Sequence, residues 1–480
     1  MNAEAVPGTT GLTVRSARGR WVLLATILGS AIAGIDATVV NIALPAIGRD
    51  LHASFAGLQW TVTGYTLPLA ALTLLGGGLG DRLGRRRVFV VGVIWFALAS
   101  ASCAVAPTLG VLIAARVAQG LGAALLTPAS LAIIEASFAS EHRSTAIGTW
   151  AGFSGLSTAV APFLGGWLLE LGSWRWVFLV NIPLAALVVA IALRHVPETR
   201  DSTATGQMDW SASAATVSGL AALTYAVMVV HDQGASPTVL GASGAAVVAF
   251  VAFTLIERRA AMPLVPLSLF RSRRFTTTNL VTFLIYGAIG GYFFMLVLEL
   301  QLVAGYSPLL AGTALLPVTV LTLLLSTHSG ALAQRIGPRL QMTAGPLICA
   351  TGVLLALRLS HTADYVRDVL PAVAVFGLGL ATLVAPLTSV ALSSAPSSHA
   401  GIASGVNNAV ARAGSLLAVA ALPTLSGLHG DPYRSPSRFA AGYRETLLLC
   451  AALLVVGAAV AAFGLRNTGA LPRLDEGTVR

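Results

Sequence analysis

The sequence predicts an all-α polytopic membrane protein. Of its 480 residues, 56% are hydrophobic and only 10% are charged, whereas about a quarter of the residues in soluble globular domains are charged. Apolar stretches of about 20 residues, the length that crosses a ~30 Å hydrocarbon layer, follow one another along nearly the whole chain. Because a helix satisfies its own backbone hydrogen bonds in lipid, each stretch is expected to be a membrane-spanning helix.

Fourteen apolar stretches are long enough to span a bilayer. In chain order they occupy residues 21–42, 58–79, 88–107, 109–131, 145–168, 175–193, 210–230, 239–256, 276–301, 308–327, 340–357, 369–391, 401–424 and 446–465. The first stretch follows a polar segment that contains Arg15, Arg18 and Arg20. Because no convincing cleavage site follows and Asp36 interrupts the apolar run, it is interpreted as a first span rather than a signal peptide.

The distribution of arginine between the loops predicts the orientation. All 29 basic residues are Arg, and they give the chain a formal charge of +10. The loops on one side and the two tails hold 20 of them, the opposite loops hold 7, and 2 lie within spans. Because positive residues concentrate on the cytoplasmic side, both termini are expected in the cytoplasm and the protein in the cytoplasmic membrane. Because this orientation signal accounts for the positive charge of the chain, no nucleic-acid partner is expected.

A ten-residue segment occurs twice, 253 residues apart. Residues 77–86 read GGLGDRLGRR and residues 330–339 read GALAQRIGPR, so that Gly, Leu, Arg, Gly and Arg stand in register. The repeat predicts two similar six-span halves around a central site, which is typical of a transporter. The expected segments are a tail at 1–20, a half at 21–194, an insertion of two spans at 195–274, a half at 275–466 and a tail at 467–480.

Residues 77–87 follow the pattern G-x-L-x-D-R-x-G-R-R-R, which resembles the loop signature of the major facilitator superfamily. A solvated basic loop would explain the arginines, but neither Asp81 nor the glycine spacing. The resemblance implies that this loop latches the two halves on the cytoplasmic side. We expect the glycine pair to form a tight turn and Asp81 to favour the positive end of a neighbouring helix. The gate candidates are Gly77, Gly80, Asp81, Arg82, Gly84, Arg85 and Arg86.

Further segments resemble the fourteen-span drug:proton antiporters of that superfamily. They are IDATVVNIALP at 35–45, RVAQGLG at 116–122, WRWVFLVNIP at 174–183 and APFLGG at 161–166. The last is close to the G-P-x-x-G-G of antiporters and supplies Pro162, Gly165 and Gly166 as candidates, although Ala161 replaces the first Gly. The resemblance implies a major facilitator fold with two inserted spans, which exports drug-like amphipathic compounds in exchange for protons. It implies no cofactor and no nucleotide, and a monomer in the lipid bilayer is expected to suffice.

Charged side chains inside spans are functional candidates because charge in a bilayer is costly. Asp36, Arg116 and Glu299 are the candidates for proton coupling. Asp36 lies about fifteen residues into the first span, near the predicted middle of the membrane, where a proton or a cationic substrate could bind it. The polar candidates of the second half are Asn407, Asn408 and Arg412.

Structural alternatives exist for these charges. Asp36 could stabilise helix packing, and Arg116 could bind carbonyl groups of a nearby helix. Glu299 could extend to the membrane interface, and Arg412 could simply join helices.

Two other functional classes are weighed. A major facilitator uptake symporter of a small organic solute would share the loop signature, but it usually lacks the inserted spans and the fifth-span Pro-Gly-Gly motif. An intramembrane enzyme would need a coherent set of metal ligands, whereas the His residues lie mostly in loops. The phosphate-binding pattern G-x-x-x-x-G-K-[ST] does not occur in the sequence, so an ATP-driven pump would need a separate subunit.

Overall fold

The computed structural model describes residues 11–200, 209–260, 263–394, 400–428 and 436–465. Residues 1–10 of the first tail and the whole tail at 467–480 lie outside these residues, as does Arg434. Within the described residues, fourteen helices or helix pairs are long and apolar enough to cross a membrane. This confirms the all-α polytopic fold and the number of spans.

Sixteen α-helices form the described spans. They are α1 Ala17–Asp50, α2 Phe55–Leu83, α3 Arg85–Ala104, α4 Leu109–Ser137, α5 Ser140–Glu170, α6 Trp176–Leu179, α7 Asn181–His195, α8 Trp210–Gln233, α9 Pro237–Arg259, α10 Arg273–Leu302, α11 Pro308–Ala314, α12 Leu316–Ile336, α13 Pro338–Leu355, α14 Leu370–Ser393, α15 Ala400–Leu425 and α16 Pro436–Gly464. Helices α6 and α7 together make one span, as do α11 and α12. Several helices run past the predicted apolar stretch, because hydropathy detects only the part that contacts hydrocarbon.

The helices of the two halves pack in the same order. In the first half, α4 packs against both α2 and α3, and α1 packs against α5. In the second half, α14 packs against α12 and α13 in the same way, and α10 packs against α15. The inserted helices α8 and α9 pack on each other, and α8 also contacts α2 and α15. The insertion therefore lies beside the two halves rather than between them.

The repeated segment forms the same turn in both halves. Helix α2 ends at Leu83 before Gly84, which has φ +107°, and α12 ends at Ile336 before Gly337, which has φ +83°. A positive φ of this size favours glycine. The prediction that the Gly77 pair makes the turn is wrong, because Gly77 and Gly80 lie inside α2. Glycine within a membrane helix instead allows close packing.

We call the side with loops 51–54, 105–108, 171–175 and 303–307 the arginine-poor end, and the opposite side the arginine-rich end. At the arginine-poor end the two halves touch. The Gln59 amide of α2 donates to the carbonyl oxygens of Val419 (2.7 Å) and Ala420 (3.1 Å) of α15. The Gln301 amide of α10 donates to the Ile42 carbonyl of α1 at 3.0 Å. These contacts close the cleft between the halves at the arginine-poor end.

Candidate functional site

Asp36 and Arg116 form a buried ion pair inside the first half. Their guanidinium and carboxylate groups are in direct contact, and each residue is 1% exposed. The other carboxylate oxygen of Asp36 accepts hydrogen bonds from Gln119 (2.8 Å) and Asn181 (3.0 Å). Arg116 also donates to the Thr61 carbonyl at 3.1 Å. The structure therefore brings the two predicted residues together and surrounds their charges with polar partners.

Aromatic rings cover the remaining surface of the guanidinium. Arg116 lies 4.3 Å from the centre of the Tyr65 ring and 5.8 Å from that of Phe178. The Tyr65 hydroxyl donates to the Ala33 carbonyl at 3.0 Å, which holds the ring in place. A cation over an aromatic face is attracted by the ring quadrupole, most strongly where water is excluded. Arg116 is thus compensated by both an anion and aromatic rings.

Residues around the buried pair lie towards the arginine-poor end of their helices. Asn181, which binds Asp36, lies five residues after the start of α6. Ser100, which accepts a hydrogen bond from Asn181, lies four residues before the end of α3. Arg116 is seven residues from the start of α4. At 1.5 Å per residue these offsets correspond to about 6–11 Å. Asp36 itself lies 14 residues before the end of α1, and it is enclosed by protein.

Glu299 is the other buried acid among the predicted candidates. It lies near the arginine-poor end of α10 and is 1% exposed. Its Oε2 atom has no hydrogen-bond partner, and neither has the hydroxyl of the nearby buried Tyr292. The groups that interact with it electrostatically are Tyr443 and Arg444 of α16. The alternative that Glu299 extends to the interface is therefore wrong, because the second half covers it.

The polar candidates of α15 divide into two groups. Asn407 donates to Asn279 (3.2 Å) and Thr282 (2.8 Å) of α10, so it joins these two helices. Asn408 is exposed, and its amide bonds only to the carbonyl of the preceding turn. Arg412, one turn later on the same face, is half-buried and belongs to none of the ion pairs found among the described residues.

The predicted antiporter motif lies where α5 contacts the other half. A Cβ atom on Gly166 would lie 2.7 Å from the Pro308 carbonyl oxygen and 2.8 Å from the Leu309 nitrogen. A Cβ atom on Gly312 of α11 would lie 2.8 Å from the carbonyl carbon of Pro162. On the opposite side, a Cβ on Gly165 would come within 2.9 Å of Val39 in α1. The motif therefore allows α5 to approach α1 and α11 closely.

The loop between α2 and α3 makes contacts within itself and with the segment that follows α7. Asp81 accepts hydrogen bonds from the guanidinium of Arg85 at 2.8 and 2.9 Å, one helical turn further on. Arg82 lies in the last turn of α2. Arg86 donates to the Val196 carbonyl at 3.2 Å. These contacts fix the loop to the segment that follows α7.

Glu198 contacts the loop between α2 and α3, and the sequence analysis did not predict this contact. Its carboxylate accepts hydrogen bonds from the backbone N–H groups of Arg86 (3.1 Å) and Arg87 (3.2 Å), in the first turn of α3. A carboxylate there is favoured by the helix dipole. The acid bound at the positive end of this helix is thus Glu198, whereas Asp81 pairs with Arg85. A Cβ on Gly84 would lie 2.6 Å from Glu198, so this turn needs glycine for space as well as for φ.

The arrangement described above matches a known family. The sequence profile of the Major Facilitator Superfamily matches residues 26–419. The chain belongs to the major facilitator superfamily. It is therefore a multi-pass membrane transporter, and the recognition of the family from its loop signature is confirmed.

Similar members of the superfamily carry drug-resistance names. The tetracenomycin C resistance and export protein of Streptomyces glaucescens is 36% identical over 414 residues, which are 85% of this chain and 76% of that protein. The puromycin resistance protein pur8 of Streptomyces alboniger is 35% identical over 410 residues, 85% of this chain and 81% of that protein. The multidrug resistance protein Stp of Mycobacterium tuberculosis is 34% identical over 402 residues, 83% of this chain and 74% of that protein.

Solved major facilitator structures share the fold at low identity. The POT family transporter PepTSo has a TM-score of 0.67 and 15% identity, over 92% of this chain and 97% of that one. A bacterial homologue of the human lysosomal transporter Spinster, in an inward-facing and unoccupied conformation, has a TM-score of 0.64 and 18% identity, over 94% and 97% of the two chains. This likeness shows the fold alone.

Proposed function

We propose that the protein exports amphipathic drug-like or antibiotic compounds across the cytoplasmic membrane in exchange for protons. The names of the similar resistance proteins support export. The observation that carries the proton-coupling proposal is the Asp36–Arg116 pair, which is fully enclosed within the first half. A charge pair costs free energy in such a place and is usually retained for function.

The pair can act as a two-state element. With Asp36 ionised, the carboxylate holds α1 to Arg116 and Gln119 of α4 and to Asn181 of α7. A proton on Asp36 removes the attraction to Arg116 and weakens that junction. A carrier changes its conformation only in response to ligands that bind its two states differently. Protonation from outside would thus favour a different packing of α1 against α4, and reset the carrier after substrate leaves.

Glu299 provides a second position for a proton. Its carboxyl group is buried, and one oxygen has no hydrogen-bond donor within the described residues. A protonated carboxyl needs less solvation there than a charged one. Asp36 lies in a different environment, since its carboxylate accepts hydrogen bonds from Gln119 and Asn181. We propose that both take part in the coupling.

Membrane orientation completes the proposal. The arginine-rich end faces the cytoplasm, and both termini lie there, because arginine concentrates in those loops. The structure, closed at the arginine-poor end, is then the state that receives substrate from the cytoplasm. Alternating access requires the halves to separate at the arginine-poor end, where the α5–α11 contact and the Gln59 and Gln301 hydrogen bonds now hold them.

The test is transport by purified protein in proteoliposomes with an imposed pH gradient. We expect wild type to accumulate the amphipathic anion naphthalene-2-sulfonate against its concentration gradient in liposomes with an acidic lumen. Asp36→Asn should lose this accumulation, and Glu299→Gln should reduce it strongly. A matched control is Glu141→Gln, which changes an exposed acid at the arginine-rich end of α5. Full accumulation by Asp36→Asn would remove Asp36 from the coupling and leave Glu299 as the candidate.

A further inference from the structure

Arg412 is a cation in the middle of a span, and it forms no ion pair with an acid among the described residues. It lies 12 residues after the start of α15 and 13 before its end. The ionisable side chains that interact with it electrostatically are phenols, Tyr65 of α2 and Tyr286 of α10. Among the described residues, its guanidinium takes part in no hydrogen bond or ion pair. This differs sharply from Arg116, which has both an anion and carbonyl partners.

The neighbours of α15 show which way Arg412 points. One face of the helix contacts α2, since Ala413 and Leu416 pack with Leu67 and Ala71. A second face contacts α10, where a Cβ on Gly287 would lie 3.3 Å from the Gly414 carbonyl oxygen.

A third face of α15 lies towards the insertion and the segment before α10, because Ala403 and Val410 pack with Val265 and Leu269. At 100° per residue, Asn408 and Arg412 fall on the remaining face, opposite Ala403 and Val410. This face lies between the contacts with α2 of the first half and α10 of the second. It therefore borders the cleft between the halves.

The charge in this part of the cleft is positive. Asp36, the acid deepest in the described spans, is enclosed and already paired with Arg116. Glu299 is buried within the second half near the arginine-poor end. Arg412 thus has no nearby carboxylate to compensate it within the described residues, although an uncompensated charge at this depth is costly. An anion in the cleft would supply the missing partner.

We propose that Arg412 makes the site between the halves selective for amphipathic compounds that carry a negative charge, such as a carboxylate or an acidic phenol. The proposal rests on the proposed export function and names its substrate class. Arg412 binds the anionic group, the exposed Asn408 amide donates one turn away, and Tyr286 offers a ring and a hydroxyl. A cationic substrate would meet Arg412 without a free carboxylate to attract it.

Two dyes with one scaffold and opposite charge test the proposal. Fluorescein is an anionic xanthene and rhodamine 123 is a cationic one. Their binding to the purified full chain in nanodiscs is measured by fluorescence anisotropy, without any gradient. We expect wild type to bind fluorescein at least about tenfold more tightly than rhodamine 123, the ratio expected of a charge-assisted hydrogen bond.

Substitutions of Arg412 distinguish a role of its charge in ligand binding from a purely structural role. Arg412→Gln should weaken fluorescein binding about tenfold and leave rhodamine 123 binding unchanged or stronger. Arg412→Lys should retain most of the fluorescein affinity, which a purely structural defect would not allow. Arg258→Gln removes an exposed arginine at the end of α9 and should change neither affinity.

Three outcomes would overturn the proposal. They are absence of fluorescein binding by wild type, equal or tighter binding of rhodamine 123, and unchanged fluorescein binding by Arg412→Gln. Because binding needs no proton gradient, these outcomes differ from a failure of the proposed antiport. Selective binding without gradient-driven transport would instead contradict the proton coupling alone.

Discussion

At the residue scale, the membrane interior makes each buried charge depend on its partners. Arg116 and Asp36 compensate each other, and the uncharged side chains of Gln119 and Asn181 complete the shell. Removing one member of a buried pair leaves the other charge uncompensated and destabilises a protein by about 3–5 kcal/mol. Replacing both members together avoids that penalty.

The first prediction follows from this asymmetry. We expect Asp36→Asn to unfold at a clearly lower temperature than wild type in detergent, because Arg116 stays charged and buried. The double variant Asp36→Asn/Arg116→Gln should recover most of the loss. Thermal unfolding followed by intrinsic fluorescence measures both. If the single and double variants were equally stable, the pair would not be a strong interaction in this protein.

The sequence predicted the charged members of this site and not its uncharged ones. Asp36 and Arg116 stand out because charge is rare in an apolar run. Gln119 and Asn181 also interrupt apolar runs, but amides are tolerated in spans and carry a weaker signal. Glu198 could not be assigned, because its contact with α3 joins loops more than 100 residues apart. The burial of Glu299 likewise depends on α16, which is distant in sequence.

At the scale of elements, glycine sets how closely helices approach. Gly166 of α5 and Gly312 of α11 place backbone against backbone between the halves, at the end where the cleft is closed. The sequence identified the fifth-span motif by its resemblance to a family motif, but it did not show that the motif packs against α11. Helix α11 is recognisable only as the start of a span, and the contact between halves leaves no periodic signal in the sequence.

The second prediction concerns this contact. We expect Gly166→Ala to disfavour the closed arginine-poor end, because the added methyl group would meet the backbone of Pro308 and Leu309. Spin labels on Ser173 and Thr362, in arginine-poor loops of the two halves, should move apart by several ångströms in electron resonance distance measurements. The native cysteines Cys103, Cys349 and Cys450 are buried, which favours selective labelling.

Gly155→Ala is the matched control on the same helix. A Cβ at Gly155 would meet no atom within 4 Å, so the label distance should stay as in wild type. An unchanged distance in Gly166→Ala would show that the α5–α11 contact does not govern closure.

At the scale of the whole molecule, the number and order of spans were predictable because each span is a local property of the chain. Hydropathy and the 253-residue repeat together indicated the fourteen spans and the two similar halves. The closed arginine-poor end was not predictable, since one sequence must form at least two arrangements of its halves. Orientation remains a prediction from arginine counts.

The third prediction is the topology. A reporter enzyme that is active only outside the cytoplasm, fused after Gly234, should be active, because this residue joins α8 and α9 at the arginine-poor end. The same reporter fused after Pro266, on the arginine-rich side, should be inactive. The reverse pattern would overturn the orientation and, with it, the direction of transport.

The central claim is that substrate and protons move in opposite directions, and the sign of a proton flux tests it most directly. Proteoliposomes contain a pH-sensitive dye, equal pH on both sides, and valinomycin with equal K⁺ to prevent a membrane potential. Ethidium or naphthalene-2-sulfonate is added outside, since neither carries protons itself. We predict that entry of the transported compound drives protons out, so that the lumen becomes alkaline in wild type and not in Asp36→Asn. Acidification of the lumen would identify a symporter and contradict the account.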